Sequence, residues 1–255
     1  MKIISHENSA KSGKAAAAYA AKVLNDAIAE KGNARIVLST GASQFDLFQA
    51  LVKASVDWNK VEMFHLDEYV GLSESHPASF RKYLKERFSG KVNLKNTFFI
   101  DGEADVGNTI NRLTREIRKE PVDLALIGIG ENAHIAFNDP PADFDTKDAF
   151  IVASLDEACK KQQVGEGWFA RPEDVPAKAI TMTVHEIMKS KVIISFVPYK
   201  VKAKAVKDTL ENELTNQIPA TVLKSHPDYT LFLDKDSASL LDRDDLLWGN
   251  GRKEM

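Results

Sequence analysis

A histidine and an aspartate lie close together in Gly128–Pro140, whose sequence is GIGENAHIAFNDP. This segment follows an apolar run, Val122–Ile127, that predicts a buried parallel strand. A glycine-containing turn would place His134 and Asp139 just beyond the carboxyl end of that strand, where open α/β sheets bind ligands. An imidazole with a carboxylate nearby is suited to proton transfer. The segment is therefore a candidate acid–base site.

A loop rich in Ser, Thr and Gly, residues 39–43 with the sequence STGAS, follows the predicted strand Arg35–Leu38 and precedes a predicted helix. Free backbone N–H groups at a helix N-terminus, with hydroxyls beside them, form an anion pocket that would fit a phosphate. The alternative is simple capping of the helix by Ser43, because serine is a preferred N-cap residue. The loop lacks the Gly-Lys-Ser/Thr ending of a Walker motif.

The segment His65–Tyr69, with the sequence HLDEY, stands at the end of the next predicted strand. Asp67 and Glu68 are adjacent, so in an extended chain they point to opposite faces and at most one of them points into a given cleft. The other would cap a helix or bind a neighbouring group. His65 and Asp67 share a face, which leaves a metal site open, and a solvated acidic turn is a further alternative.

Lys202 opens a predicted helix after the predicted strand Val192–Val197. Its ammonium group would neutralise a phosphate in an N–H pocket, although a solvated charge is the default for a single lysine. Glu131 and His134 leave a second metal site open, but no HExxH helix is present. All four segments follow predicted strands, whose carboxyl ends line one edge of a parallel sheet. They predict one cleft for acid–base chemistry on a phosphorylated small molecule.

The elements that would position these groups alternate between strands and helices. Strands are predicted at 35–38, 61–66, 97–100, 122–127, 192–197 and 229–233, and helices at 7–31, 44–54, 78–88, 106–119, 183–189 and 201–213. This alternation predicts an α/β fold: a doubly wound, largely parallel sheet with helices on both faces, in a modified Rossmann-like three-layer sandwich. Without a recognisable linker, residues 1–255 are predicted to form a single domain.

Two regions depart from this alternation. Pro140–Lys178 is long, rich in charge and glutamine, and shows little regular pattern. Such a stretch is often a lid or a mobile segment, so we expect a lid around residues 145–178. The tail, residues 242–255, is charged and is expected to be peripheral.

Composition excludes several classes of protein. The chain has 255 residues, of which 28% are charged, and a net charge of −3 gives no bulk electrostatic case for nucleic acid. The single cysteine, Cys159, permits no intrachain disulfide, which fits a reducing compartment, and we interpret it as incidental. No apolar run approaches the roughly 20 residues that span a bilayer, and lysines interrupt the N-terminal alanine cluster. We therefore expect a cytoplasmic protein with no membrane partner.

Together these segments resemble the glucosamine-6-phosphate deaminase (isomerase) family, which also includes the 6-phosphogluconolactonases. The similarity extends from about residue 35 to residue 233. It rests on LSTGAS at 38–43, FHLDEYVGL at 64–72 with HP at 76–77, GIGENAHIAFNDP at 128–140, and PATVL at 219–223 with HP at 226–227. The lactonase branch has Asp-Gly-His followed by a Ser-Leu-Phe-Pro type sequence, whereas HIAFNDP is similar to the deaminase branch.

The resemblance implies that glucosamine 6-phosphate and water give fructose 6-phosphate and ammonia, with no metal and no organic cofactor. It implies that Asp67 moves a proton between C2 and C1 of the open-chain sugar. His134 would assist opening of the pyranose ring, supported by Asp139, which matches a family glutamate. The phosphate would be bound by Thr40, Gly41, Ala42, Ser43 and Lys202.

The chain also departs from the family pattern around the expected substrate. Asn132 stands where some deaminases have an aspartate, and an amide can orient the histidine but cannot act as a base. Asp139 is one methylene shorter than the usual glutamate. In the expected lid, Lys161 is the candidate for the role of a phosphate-binding arginine. No counterparts of the residues that bind an allosteric activator are found after Pro140. Another amino-sugar phosphate therefore remains an alternative substrate.

Two alternatives of other classes are open. One is a 6-phosphogluconolactonase-like hydrolase on the same fold. The other is a non-catalytic sugar-phosphate sensor, which would need a DNA-binding module. Only about 30 residues precede the first predicted strand, too few for such a module. The expected partner is a small sugar phosphate, and a homo-oligomer is also compatible with the sequence.

Overall fold

The computed structural model describes residues 1–242 and 247–248. The helices of this part are α1 (Ser9–Lys31), α2 (Phe45–Leu51), α3 (Phe80–Leu84), α4 (Val106–Ile117), α5 (Glu157–Gly165), α6 (Val184–Ile187) and α7 (Ala203–Glu211). The strands are β1 (Lys2–His6), β2 (Ala34–Leu38), β3 (Val61–His65), β4 (Asp67–Tyr69), β5 (Asn96–Phe98), β6 (Leu124–Ile127), β7 (Phe150–Ser154), β8 (Lys178–Met182), β9 (Val192–Val197), β10 (Tyr229–Asp234) and β11 (Leu247–Trp248).

Within the described residues, the main sheet has eight strands in the order β11-β1-β10-β9-β6-β2-β3-β5, and its neighbouring strands are parallel. After β2 the chain moves to one side, to β3, whereas after β6 the main sheet continues on the other side, at β9. The crevice between the loops that leave β2 and β6 is therefore a topological switch point. There the Ser39 N–H group donates to the Leu126 carbonyl oxygen at 2.9 Å.

Alternate side chains of the buried strands face opposite helical layers. In β2, Ile36 and Leu38 belong to the core formed with α1, α2 and α3, whereas Val37 belongs to the core formed with α4 and α7. A strand buried on both faces in this way reads as a continuous apolar run. The prediction of a doubly wound α/β fold with helices on both faces is confirmed.

The packing of α1 against α2 positions the loop that precedes α2. Helix α1 begins after Asn8, whose side chain accepts a hydrogen bond from the Lys11 N–H group at 2.9 Å. A Cβ atom on Gly13 would come within 2.9 Å of the Asp46 carbonyl carbon, so only glycine permits this close approach. The Ser9 hydroxyl also donates to the Asp46 carboxylate at 2.5 Å. The helix pair is thus fixed at its contact point.

A second, three-stranded sheet with the order β4-β8-β7 is antiparallel. Strand β4 starts two residues after the end of β3, so the chain leaves the main sheet and enters the second one within the HLDEY segment. Thr181 of β8 pairs with Asp67 on one side and with Ile151 on the other. The segment between β7 and β8 contains α5.

Several sequence expectations need correction. Strand β1 precedes α1, so the expectation that about 30 residues precede the first strand is wrong. The region 140–178 is less irregular than expected, because it contains β7, α5 and the start of β8. The helix expected at 78–88 is α3 followed by a π-helical turn, Lys85–Ser89. These elements are short or pair with distant strands, so their local pattern is weak.

No helix in the described part of the chain is long and apolar enough to cross a membrane. Apart from Asp242 and the two residues of β11, the tail expected to be peripheral lies outside the described residues.

Candidate active site

A cleft opens at the carboxyl ends of β2, β3, β6 and β9, and it is lined by the predicted groups Asp67, His134, Lys202 and residues 40–43. Asn132 and Asp139 lie behind His134 and hydrogen-bond with it or with each other. All four segments singled out in the sequence therefore meet at the topological switch point.

The loop after β2 enters the cleft through an unusual backbone conformation. Gly41 has a φ of 108°, a region that residues with a Cβ atom rarely adopt. Ser43 does not cap α2, because the N-cap residue is Gln44 and no side chain caps the helix. The Tyr83 hydroxyl donates to the Gly41 carbonyl oxygen at 2.7 Å and so links the loop to α3. Simple capping by Ser43 is therefore excluded.

The Ser39 hydroxyl at the start of this loop is buried and lines the cleft, and it has no hydrogen-bond partner among the described residues. Buried hydroxyls are normally paired, because an unpaired one costs about 1–3 kcal/mol.

Lys202 is 7% exposed and forms no ion pair with a described residue. Burial lowers the pKa of its ammonium group, while Glu166 and Glu131 partly oppose that change. A buried lysine without a close counter-ion is costly, and a bound anion would remove that cost.

Asp67 is the first residue of β4 and is 7% exposed. Burial raises the pKa of its carboxyl group to about 8, and the nearby carboxylates of Glu68 and Asp139 act in the same direction. A carboxyl group with a pKa in this range can both release and accept a proton near neutral pH.

Glu68 points away from the cleft and accepts hydrogen bonds at the start of α3. Its carboxylate accepts from the Ser79 hydroxyl at 2.9 Å and from the Arg81 N–H group at 2.9 Å. The Arg81 guanidinium also pairs with it, at 3.3 Å. The prediction was that at most one of the two acids points into the cleft while the other caps a helix or binds a neighbouring group. Asp67 lines the cleft, and Glu68 binds N–H groups in the first turn of α3, whose N-cap residue is Ser79.

His134 is held at a single ring nitrogen. Its Nδ1 atom lies 2.6 Å from the Asn132 Oδ1 atom and 3.0 Å from the Asp139 Oδ1 atom. The Asn132 amide donates to Asp139 at 3.1 Å. Because both neighbours of Nδ1 are oxygen acceptors, Nδ1 carries the hydrogen and Nε2 is left for a ligand. The shorter side chain of Asp139 therefore does reach His134.

Burial opposes ionisation of Asp139, but its contacts with His134 and Asn132 outweigh that effect and hold its pKa below the usual value. Asp139 therefore stays a carboxylate near neutral pH and can accept the hydrogen bond from the His134 Nδ1 atom. The pKa values of Asp67 and Asp139 are shifted in opposite directions, a pattern that separates acid and base roles.

The loop that carries His134 is tightly supported. A Cβ atom on Gly130 would collide with the His134 ring, so glycine is required there. Ala133 and Ala136 have positive φ angles of 63° and 52°, which indicates local strain. The Ala220 N–H group donates to the Ala133 carbonyl oxygen at 2.9 Å. The PATVL motif thus supports the histidine loop from behind.

The region expected to be a lid contributes a face of the cleft through Gln162, Gln163, Glu166 and Trp168. Sequence reasoning did not select these residues, although the glutamine-rich composition marked the region. The Glu166 carboxylate accepts from Gln162 at 2.9 Å and from the Trp168 indole at 3.1 Å. Lys161 is exposed and does not line the cleft, so its placement does not support a phosphate-binding role.

His65, considered above as a metal ligand, and Cys159, the single cysteine, are both buried. His65 is fully buried and its Nε2 atom accepts from the Ile100 N–H group at 2.8 Å. Burial lowers the pKa of His65 to about 3, so the ring is neutral. Among the described residues, no group of three or more His, Cys, Asp or Glu side chains could hold a metal ion. Burial also raises the pKa of the Cys159 thiol, which fits an unreactive side chain.

These features define an α/β protein whose ligand cleft, at a topological switch point, combines an anion-binding loop with acid–base groups. The family model of glucosamine-6-phosphate isomerases/6-phosphogluconolactonase matches residues 7–232. The chain belongs to this family, as its sequence motifs predict.

Curated relatives extend over nearly the whole chain. A glucosamine-6-phosphate deaminase from Thermoanaerobacter pseudethanolicus is 37% identical over 235 residues, covering 89% of this chain and 91% of the relative. A glucosamine-6-phosphate deaminase from Streptococcus sanguinis is 34% identical over 242 residues, covering 94% and 99% of the two chains.

Solved structures share the fold. That of a monomeric glucosamine-6-phosphate deaminase is similar with a TM-score of 0.86 and 29% identity, covering 94% of this chain and 100% of the other. The 6-phosphogluconolactonase of Trypanosoma brucei has a TM-score of 0.78 at 15% identity, covering 94% and 98% of the two chains. The second likeness concerns the fold alone.

Proposed function

We propose that this protein is an amino-sugar-phosphate deaminase that converts glucosamine 6-phosphate and water to fructose 6-phosphate and ammonia. The observation that carries the proposal is that Asp67, His134 with its partners Asn132 and Asp139, and the loop of residues 40–43 with Lys202 meet in one cleft. The relatives named as glucosamine-6-phosphate deaminases support this substrate over a lactone.

In the proposed mechanism, His134 acts first. Its Nε2 atom takes part in the proton transfer that opens the pyranose ring, while Asn132 and Asp139 orient the ring through Nδ1 and stabilise its protonated form. Since Asn132 cannot accept a proton, the charge partner of the imidazolium is Asp139.

Asp67 then moves a proton between adjacent carbons of the open-chain sugar. As a carboxylate it takes the proton from C2, and as a carboxylic acid it returns that proton to C1. Its raised pKa of about 8 makes both forms accessible near neutral pH. Loss of the C2 amino group as ammonia, with addition of water, completes the conversion to the ketose.

The phosphate group is bound at the other end of the cleft in this proposal. Lys202 supplies the positive charge, and Thr40, Gly41, Ala42 and Ser43 supply backbone N–H groups and hydroxyls. Holding the sugar at its phosphate would fix the distance of C1 and C2 from Asp67, which is how remote binding energy assists a reaction.

We also propose that the chain acts as one domain in the cytoplasm, with the lid in residues 145–178 covering the substrate. The lid proposal is supported by Gln162, Gln163 and Trp168 on the cleft wall. The cytoplasmic location is supported by the sequence alone, and a homo-oligomer stays a prediction.

The test is ammonia release from a panel of 2-amino-2-deoxyhexose 6-phosphates, coupled to detection of the ketose 6-phosphate. We expect turnover of glucosamine 6-phosphate and loss of turnover in Asp67→Asn. Hydrolysis of 6-phosphogluconolactone without deamination would favour the lactonase. Thermal stabilisation by sugar phosphates without turnover of any of them would favour a sensor.

A further inference from the structure

Tyr199, in the loop between β9 and α7, has a backbone conformation that is rare for a residue with a side chain. Its φ and ψ angles are 78° and 145°. Glycine adopts this region readily, whereas a Cβ atom makes it strained. Such strain persists only where the surroundings impose it, and it is concentrated at ligand-binding sites.

The strain at Tyr199 is imposed by a buried carboxylate. The Tyr199 N–H group donates to both oxygens of Asp234, at 3.2 Å and 3.1 Å. Asp234 is 2% exposed and is held in turn by the Ser237 N–H group at 2.8 Å. On the other side, the Tyr199 carbonyl oxygen accepts from the Lys202 N–H group at 3.0 Å. Tyr199 is therefore fixed in the same turn as the lysine proposed to bind phosphate.

The side chain of Tyr199 lies at the mouth of the cleft, where it is 40% exposed. It lines the cleft together with Gly41 and Trp168. Burial raises the pKa of the Tyr83 phenol and the nearby Tyr199 phenol acts in the same direction. The Tyr83 hydroxyl is bound to Gly41, whereas that of Tyr199 has no hydrogen-bond partner in the described part of the chain.

We propose that Tyr199 is a phosphate-binding residue. Its ring closes the solvent side of the anion pocket, and its hydroxyl donates a hydrogen bond to the phosphate held by Lys202 and residues 40–43. The proposal rests on the proposed function for the presence of a phosphate group on the ligand.

The composition of the cleft wall explains why a neutral donor would be needed there. Among the described residues that line the cleft there is no arginine, and Lys202 is the one lysine. A phosphate has several oxygens that accept hydrogen bonds, and a phenol would supply a further donor beside the lysine. The strained backbone is then the cost of aiming an aromatic side chain into the pocket from a turn where glycine would fit best.

The experiment measures binding of inorganic phosphate by calorimetry, together with the inhibition constant of phosphate in the ammonia assay. Tyr199→Phe removes the hydroxyl and should weaken phosphate binding about tenfold, the usual effect of one hydrogen bond to a charged group. Tyr19→Phe, on α1 outside the cleft, is the matched control and should leave both constants unchanged.

Two further variants separate the ring from the backbone strain. Tyr199→Ala and Tyr199→Gly both lose the ring and should weaken phosphate binding at least as much as Tyr199→Phe. Only Tyr199→Gly relieves the strained φ angle, so it should have a higher Tm than Tyr199→Ala. This pair also keeps the test valid if one variant folds poorly.

Each outcome has a distinct meaning. If the unmodified protein binds phosphate and releases ammonia but Tyr199→Phe binds phosphate equally well, the role of Tyr199 is refuted and the proposed function stands. If phosphate binding depends on Tyr199 but no hexosamine phosphate is deaminated, the proposed function fails and the phosphate-binding role stands. Absence of phosphate binding to the unmodified protein overturns the role of Tyr199.

Discussion

The amino ends and the carboxyl ends of the main sheet both bury charged side chains, but those charges have different partners. At the amino ends, Asp123 accepts from the Arg35 N–H group at 2.9 Å and pairs with Lys31 at 2.9 Å. The Arg35 guanidinium donates to Glu62 at 3.3 Å and to the Ile117 carbonyl oxygen at 2.8 Å.

At the carboxyl ends, two buried charged groups that line the cleft, Lys202 and Asp67, lack such partners. Lys202 forms no ion pair with a described residue, and Asp67 is surrounded by other carboxylates rather than by cations. The Ser39 hydroxyl has no hydrogen-bond partner among the described residues. The two ends of the main sheet therefore differ less in the types of residue they bury than in whether those residues have hydrogen-bond or ion-pair partners.

The largest effects are expected when an aspartate is replaced by asparagine at each end of the main sheet, Asp67 at the carboxyl ends and Asp123 at the amino ends. Asp67→Asn should lower kcat by about 10²–10⁴-fold, the usual effect of losing a general acid–base group, with Tm unchanged or higher. Asp123→Asn should instead lower the free energy of unfolding by about 3–5 kcal/mol, because it breaks a buried ion pair, with kcat per folded molecule retained. Ammonia release and thermal unfolding of both variants measure the two effects. An equal loss of Tm in both variants would contradict the comparison.

A smaller effect is expected when the buried cation at each end of the sheet, Lys202 or Arg35, is replaced by methionine. Lys202→Met should weaken binding of inorganic phosphate by about 10–100-fold, because it removes a charge-assisted hydrogen bond, and should not lower Tm. Arg35→Met, the matched change at the amino edge, should destabilise the fold by about 3–5 kcal/mol and leave phosphate affinity intact. Calorimetry and denaturant titration distinguish these results. Loss of stability in Lys202→Met would show that this lysine is structural.

The raised pKa of Asp67 predicts a pH dependence of catalysis. Because the carboxyl group must be ionised to take a proton and its pKa is about 8, kcat/KM should rise about tenfold per pH unit below that value and level off above it. The measurement is the pH profile of ammonia release at low substrate concentration. A profile that is flat from pH 6 to pH 8 would refute an acid–base role for this group.

Stability should change with pH in the opposite direction. Since the folded-state pKa of Asp67 is raised above its value of roughly 4 in the unfolded chain, neutral Asp67 stabilises the fold at low pH. This contribution is lost as pH rises through about 8. Asp67→Asn should therefore gain stability relative to the unmodified protein as pH rises from about 4 to about 8.

The smallest effect is expected from Tyr83→Phe. The lost hydroxyl supports the Gly41 carbonyl oxygen at 2.7 Å but is not expected to touch the substrate. Losing this hydrogen bond, worth about 1 kcal/mol, should weaken phosphate binding about fivefold through the loop and leave kcat at saturation unchanged. Phosphate inhibition constants check this, and a decrease in kcat with normal phosphate affinity would place Tyr83 elsewhere in the mechanism.

Much of the fold and the cleft was predictable because the main strands are continuous apolar runs. Residues such as Ile36, Val37 and Leu38 are buried on both faces, and a parallel sheet necessarily brings its carboxyl ends together. The meeting of Asp67, His134 and Lys202 follows from that rule. The alternation of an extended chain predicted that at most one of Asp67 and Glu68 points into the cleft.

The remaining features depend on contacts that are distant in sequence. Strand β4 has three residues, and its pairing with β8 crosses more than a hundred positions, so no local pattern marks it. The strained conformation of Tyr199 could not be predicted from its residue type, because that region favours glycine and only the buried Asp234 imposes it. The wall formed by Gln163 depends on its bond to the Tyr69 hydroxyl at 2.7 Å.

The attachment of residues 155–177 to the small antiparallel sheet has a consequence for the two walls of the cleft. Residues 155–177 leave from β7 and return through β8, and both strands are in register with one another from Phe150 to Ser154. Asp67 is paired with β8, not with the intervening segment. A rearrangement of this segment would therefore move Gln162, Gln163 and Trp168 in the cleft wall, whereas the strand pairing that places Asp67 lies outside it.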